Sequence, residues 1–174
     1  ECILDGYFEP LTTFMNQYDW SNVCENMRLN NGQFFPLPIT LAVDKNTINL
    51  GDNITLVDST NYPLASMLID DVYEPNIDWE NLNAYGTTDT NHPYVLYKQS
   101  HKGKQYISGK LTRINSVRHY DFMNDRLKPK QVKEYFQKKG WQTIIGFQTR
   151  NPMHKAHFEL TQYALRQIDT PDIR

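Results

Sequence analysis

The apolar pattern of this chain changes near residue 120, and no single regular fold accommodates both halves. Before that point the apolar runs are short and rich in β-formers, at residues 38–43, 53–57, 64–72, 94–97 and 105–112. Turn signals separate them: Asn31-Gly32, Gly51-Asp52, Glu74-Pro75, Gly86 and Lys102-Gly103. This spacing predicts a small, strongly bent sheet or barrel, with short helices over residues 11–14 and 19–29 at its edge. After Asp121, Pro129 opens a helical stretch with Val132, Tyr135 and Phe136 on one face and lysines on the other, stopping at Gly140. The near-continuous apolar run 141–147 then reads as a strand of a parallel sheet covered on both sides. Residues 148–152 turn the chain, and residues 154–168 repeat apolar positions at helical spacing. Helix, strand, tight turn, helix is the opening of an α/β nucleotide-binding unit. The expected class is therefore α+β, with a β-rich domain over residues 1–120 and the beginning of an α/β domain over residues 121–174.

Charge divides along nearly the same line. The net charge of −2 conceals 14 acids and 2 bases in residues 1–97 against 6 acids and 16 bases in residues 98–174, or −12 against +10. The basic half attracts anionic ligands, although most of its lysines read as solvated strand and helix faces. A content of 39% hydrophobic and 22% charged residues excludes a disordered or fibrous chain. No run approaches the roughly 18 apolar residues of a membrane span, and no basic stretch leads into an apolar one at the start. Cys2 and Cys24 are too few for a disulfide framework and too isolated for a metal cage. A reducing compartment, by default the cytoplasm, is expected.

The turn after the apolar run carries the chemistry. Asn151 suits an N-cap and Pro152 the first helical position, which places His154 and His157 in the first two turns. Three residues apart, they share one helix face, close to the free N–H groups and the positive end of the helix dipole, where phosphates bind. Arg150 adds a planar fork suited to a tetrahedral oxyanion, and Gln148 adds neutral amide donors. A His-x-x-His pair alone is weak evidence, but here it follows a strand, a Gln, an Arg and an Asn-Pro cap within ten residues. Zinc is disfavoured, because no carboxylate or third histidine stands at a ligand spacing; no metal site is expected.

The run from Gln148 to His157, QTRNPMHKAH, resembles the signature of the ATP sulfurylases, a variant of the HxGH-type nucleotidylyltransferase motif with Ala156 in place of glycine. FEPLTTF (8–14), Met27-Arg28-Leu29, FPLPIT (35–40), GTTDTNHP (86–93), HYDF (119–122) and Gly140-Trp141 look like successive landmarks of the same family. Departures fall mostly outside the turn: Thr13, Tyr94 and Ser108-Gly109-Lys110 stand where the family has glycines, and Lys155 replaces an arginine. The resemblance implies a PUA-like β-rich domain followed by the start of a Rossmann-like α/β catalytic domain, and a homo-oligomer. It implies the reaction of MgATP with sulfate to give adenosine 5′-phosphosulfate and pyrophosphate. Gln148 and Arg150 are implied to hold sulfate, and Arg150, Asn151, Pro152, Met153, His154 and His157 to line the ATP phosphates. Thr149, Arg150 and Asn151 match the family's catalytic trio, with His154 and His157 stabilising the transition state. A later family loop of the GRDHAGPG type has no match here, so residues 1–174 alone are expected to be inactive.

Two other readings are weaker. Another adenylyltransferase would share the His-x-x-His logic but not the Gln-Thr-Arg-Asn run. A nucleic-acid module would suit the basic half, yet the acidic half repels phosphates, so neither nucleic acid nor membrane is an expected partner.

Overall fold

The structure, a computed structural model, describes residues 1–167; Ile168, assigned to the last helix by periodicity, lies outside them. The chain divides into two units, Glu1–Asp125 and Arg126–Arg174.

The first unit is built on a four-stranded antiparallel sheet with strands β1 (Leu41–Asp44), β2 (Asn53–Val57), β3 (Pro63–Tyr73) and β4 (Lys104–Arg113) in the order β1-β4-β3-β2. An irregularity in β3 governs its two faces. Pairing runs from Ala65↔Arg113 to Ile69↔Gly109, then resumes at Asp71↔Ser108, so Asp70 is an extra residue. Because side chains alternate with a period of two, one inserted residue exchanges the faces beyond it. Met67, Ile69, Val72, Ile107 and Leu111 consequently share one cluster with Leu41, Val43 and Ile54. Tyr73 and Tyr106 turn to the opposite face and join Trp20, Val23, Cys24 and Ile77 from the helices. Full burial of each large apolar side chain contributes roughly 1.5–3 kcal/mol.

The bulge also explains a strand glycine. A Cβ on Gly109 would lie 2.1 Å from the Leu68 carbonyl oxygen, so only glycine permits this approach. The Gly109 carbonyl accepts a hydrogen bond from the Thr13 hydroxyl. Thr13, one of the departures from the family pattern, thus fastens the N-terminal segment to the sheet.

Helix α1 (Gln17–Asn26) is capped by Asn16, whose side chain accepts from Asp19 N–H at 2.8 Å, and it ends in the left-handed Met27. Residues 11–14, expected as helix, form none. Helix α2 (Ile77–Tyr85) was not anticipated from apolar spacing; Asn76 caps it through Trp79 N–H at 3.0 Å, and Gly86 closes it at φ 71°. Residues 94–97, expected as strand, lie in helix α3 (Pro93–Gln99). Pro93 occupies the first helical position and His92 Nδ1 accepts from Val95 N–H at 3.4 Å. The cap overrides the β-propensity of Tyr94-Val95.

In the second unit, α4 (Pro129–Lys139) begins and ends as expected, with the Lys128 N–H donating to Gln131 Oε1 at 2.8 Å and Gly140 at φ 68°. Trp141 packs against the rings of Tyr135 and Phe136. Residues 141–147 do not form the expected strand, and residues 142–147 are exposed. A strand requires a neighbour to take its backbone hydrogen bonds, and the second unit holds no other among the described residues. The chain then turns at residues 148–154 into α5 (Lys155–Gln167).

Candidate functional site

The turn is organised by Thr149. Its hydroxyl accepts from Asn151 N–H at 3.1 Å and donates to the Asn151 carbonyl at 3.0 Å, so one short side chain closes the bend. Asn151 is therefore held at the apex of the turn and does not cap α5, contrary to the sequence expectation. The first helical bond instead runs from Phe158 N–H to the His154 carbonyl at 3.0 Å, and α5 starts at Lys155. Pro152, expected at the first helical position, likewise lies before the helix, among residues 152–154 that follow the Thr149 turn.

This shift leaves the histidine pair intact. The rings of His154 and His157 stack with centroids 3.8 Å apart and planes inclined by 27°, although His154 precedes the helix. Phe147 lies with its edge toward His157 at 5.8 Å, a support not noticed in the sequence; its signal was the aromatic ending of the apolar run. His157 Nδ1 is buried and has no hydrogen-bond partner among the described residues, a donor or acceptor held in reserve. Gln148, Arg150, Asn151, Pro152, Met153 and His154 are all exposed beside it, and the N–H groups of the first turn of α5 have no helical acceptor. Arg150, the helix terminus and two imidazoles thus present donors from one short stretch of chain, an arrangement suited to anions.

Other cavities differ in chemistry. A cleft of about 380 Å³ between Ile145, Phe147, Leu160, Ala164 and Leu165 is apolar. A cleft of about 630 Å³ in the first unit is lined by Asp70 and Asp71 with neutral side chains, and its carboxylates oppose an anionic ligand. Among the described residues no three His, Cys, Asp or Glu side chains gather as a metal cage, and no helix is long and apolar enough to cross a membrane. Cys2 and Cys24 are free thiols; burial, aided by the Glu80 charge, pushes the Cys24 thiol up to about 12.

The two units match two family descriptions in succession: a PUA-like domain over residues 1–116 and ATP-sulfurylase over residues 124–173. The sulfate adenylyltransferase of Schizosaccharomyces pombe is 41% identical over 172 residues, 96% of this chain and 35% of that protein. The chain belongs to the PUA-like domain family over residues 1–116 and continues into an ATP-sulfurylase domain. Sulfate adenylyltransferases of Coccidioides immitis and Neurospora crassa are each 42% identical over 95% of the chain and 30% of their own length. The chain thus spans about a third of the curated relatives it matches. Among solved structures, the hexameric APS kinase from Thiobacillus denitrificans superposes with a TM-score of 0.70 at 25% identity, over 96% of this chain and 29% of that one. The fold is accordingly a PUA-like domain joined to the start of an ATP-sulfurylase domain.

Proposed function

We propose that this chain is the N-terminal part of a sulfate adenylyltransferase, with the PUA-like domain over residues 1–120 and the beginning of the catalytic domain over residues 121–174. The observation that supports the reading is the turn itself: Thr149 bridges to Asn151 just before α5, the His154 and His157 rings stack at its start, and Gln148 and Arg150 flank Thr149 in sequence. In the reaction a sulfate oxygen attacks the α-phosphorus of ATP in line, an S–O–P linkage forms, and the bond to the β-phosphate breaks to release pyrophosphate. Sulfate is a poor nucleophile, so the work falls to holding two anions together and stabilising the charge that develops.

Gln148 and Arg150 bind sulfate in this proposal, Arg150 through its planar fork. Arg150, Asn151, Pro152 and Met153 line the nucleotide phosphates. His154 and His157 donate to phosphate oxygens, and the unpartnered His157 Nδ1 supplies one such contact. Thr149 positions Asn151 through the two hydrogen bonds already described. The donors of the turn are those of an anion site and not of a hard-cation cage, so magnesium is assigned to the substrate complex MgATP, bound through its phosphates. A homo-oligomer in a reducing cytoplasm completes the reading; support comes from the free thiols and from the structural relative, a hexameric APS kinase.

The test is pyrophosphate release from MgATP by the full-length parent protein, with and without sulfate. Sulfate-dependent release that disappears in Arg150→Ala is expected, and His154→Ala should lower turnover about a hundredfold, the effect of ~3 kcal/mol from one preorganised donor. Release indifferent to sulfate would assign the chain to another nucleotidyl transfer. Residues 1–174 alone should show no turnover, because the family's later glycine- and histidine-containing loop has no match in them.

A further inference from the structure

Beneath α2 and α3 the first unit buries a polar cluster that the proposed reaction does not use. Glu80 and Lys98 are 0% and 1% exposed, and Lys98 Nζ lies 2.6 Å from Glu80 Oε1. Around this pair, Trp20 Nε1 donates to Glu80 Oε2 at 3.2 Å, the Tyr106 hydroxyl donates to Glu80 Oε2 at 2.9 Å, and Lys98 Nζ donates to the Tyr106 hydroxyl at 2.9 Å and to Thr40 Oγ1 at 3.4 Å. His101, 9% exposed at the end of α3, places Nδ1 3.1 Å from the same Tyr106 oxygen.

Proton counting fixes the direction of that last contact. A carboxylate only accepts, an ammonium only donates, and a phenol has one proton and two lone pairs. The Tyr106 proton goes to Glu80, since otherwise two oxygens without a proton would face each other at 2.9 Å. The Tyr106 lone pairs face Lys98, the Thr40 hydroxyl and His101, and a bare Nδ1 at 3.1 Å from that oxygen would set lone pair against lone pair. Nδ1 of His101 therefore carries the hydrogen and Nε2 carries the free lone pair, so any further proton must enter at Nε2.

We propose that His101 is an acid-sensitive latch: neutral and protonated at Nδ1, it closes the network that ties α3 to α2 and β4, and a second proton at Nε2 puts a new cation beside Lys98 and loosens α3. The charges facing the ring come from every element around it. Lys98 of α3 and Lys104 of β4 oppose a cation, Glu80 of α2 favours one but is already neutralised by Lys98, and Lys102, adjacent to His101, is paired with Asp78 of α2 at 2.8 Å. Tyr97 and Tyr106 flank the ring edge-on at 5.1 and 5.7 Å. Burial first, and then Lys98, hold His101 below the ordinary imidazole value. The unfolded chain consequently takes up the proton before the folded one does. Stability rises with pH across that window and is lost as the pH falls below about 6.5.

Nitrogen-15 NMR of the imidazoles tests the tautomer in the unaltered chain, with His101 assigned by its absence in His101→Asn. At pH 8, Nδ1 should show the protonated signature and Nε2 the bare one, and the reverse assignment overturns the proposal. On acidification the His101 midpoint should lie below 6.5, and the Trp20 indole N–H signal should move with the same midpoint; a His101 midpoint above 6.5, or a Trp20 signal indifferent to it, refutes the latch. His101→Asn keeps an N–H donor near the Nδ1 position without the titration. Its Tm should fall less between pH 7 and pH 5 than that of the unaltered chain, and equal falls count against the proposal.

Discussion

In the first unit Met15, Met67, Val95, Tyr106 and Ile107 are wholly excluded from water, while neither α4 nor α5 of the second unit has a buried residue. Ile144, Ile145 and Phe147 of the second unit are 41–48% exposed although they form the most apolar run in it. The contrast shows where structure comes from in each part. The sheet of the first unit satisfies its own backbone and buries both faces, whereas α4, the turn and α5 are held by local means: a cap, a closing glycine, a side-chain-bridged bend and a few ring contacts. Substitutions of the same kind should therefore have unequal effects in the two units.

Truncation separates them most. Met67→Ala should destabilise the first unit by about 2–5 kcal/mol in urea unfolding, since it empties a fully buried site. Ile145→Ala should change the stability of residues 1–174 by less than ~0.5 kcal/mol; a comparable loss at Ile145 would mean that the second unit has a core of its own. Glycine replacement comes next. Gly109→Ala drives a methyl against the Leu68 carbonyl and should cost about 1–3 kcal/mol, while Gly146→Ala meets nothing within 4 Å and should be neutral or stabilising by about 0.5 kcal/mol. Asparagine replacement is a smaller contrast. Asn76→Ala removes the cap of α2 at about 1 kcal/mol, and Asn151→Ala should leave the helicity of α5 unchanged by circular dichroism, because Asn151 does not cap it. The least effect is expected from Lys45→Ala, whose 2.7 Å pair with Glu74 is exposed on both sides; a change above ~1 kcal/mol would be inconsistent with a screened surface pair.

Much of the fold is legible in the sequence. Pro129 and Gly140 bound a helix that formed between them, and the β-former runs at 53–57, 64–72 and 105–112 became β2, β3 and β4 with ends displaced by no more than one residue. The proposed site rests on the composition of the turn, because Gln148, Arg150, His154 and His157 suit anions by type and are neighbours in sequence. The misses have local causes. Tyr94-Val95 looked like strand until the His92-Pro93 cap was weighed, and Asn151-Pro152 looked like a helix start until the Thr149 hydroxyl claimed Asn151.

Short-range chemistry, then, was the part most open to reading along the chain: the Pro129 start and Gly140 close of α4 and the alternation in β2, β3 and β4 act over one to four residues. Long-range contact alone decided the rest. The extra Asp70 exchanges the faces of β3 only against its partner β4, Gly109 is obligatory only because Leu68 approaches it, and nothing near Glu80 or Lys98 in sequence announces that two charges eighteen residues apart are enclosed together. Such features depend on which segments meet, and a buried charge or a crowded carbonyl acquires its energy from the neighbour that folding brings to it.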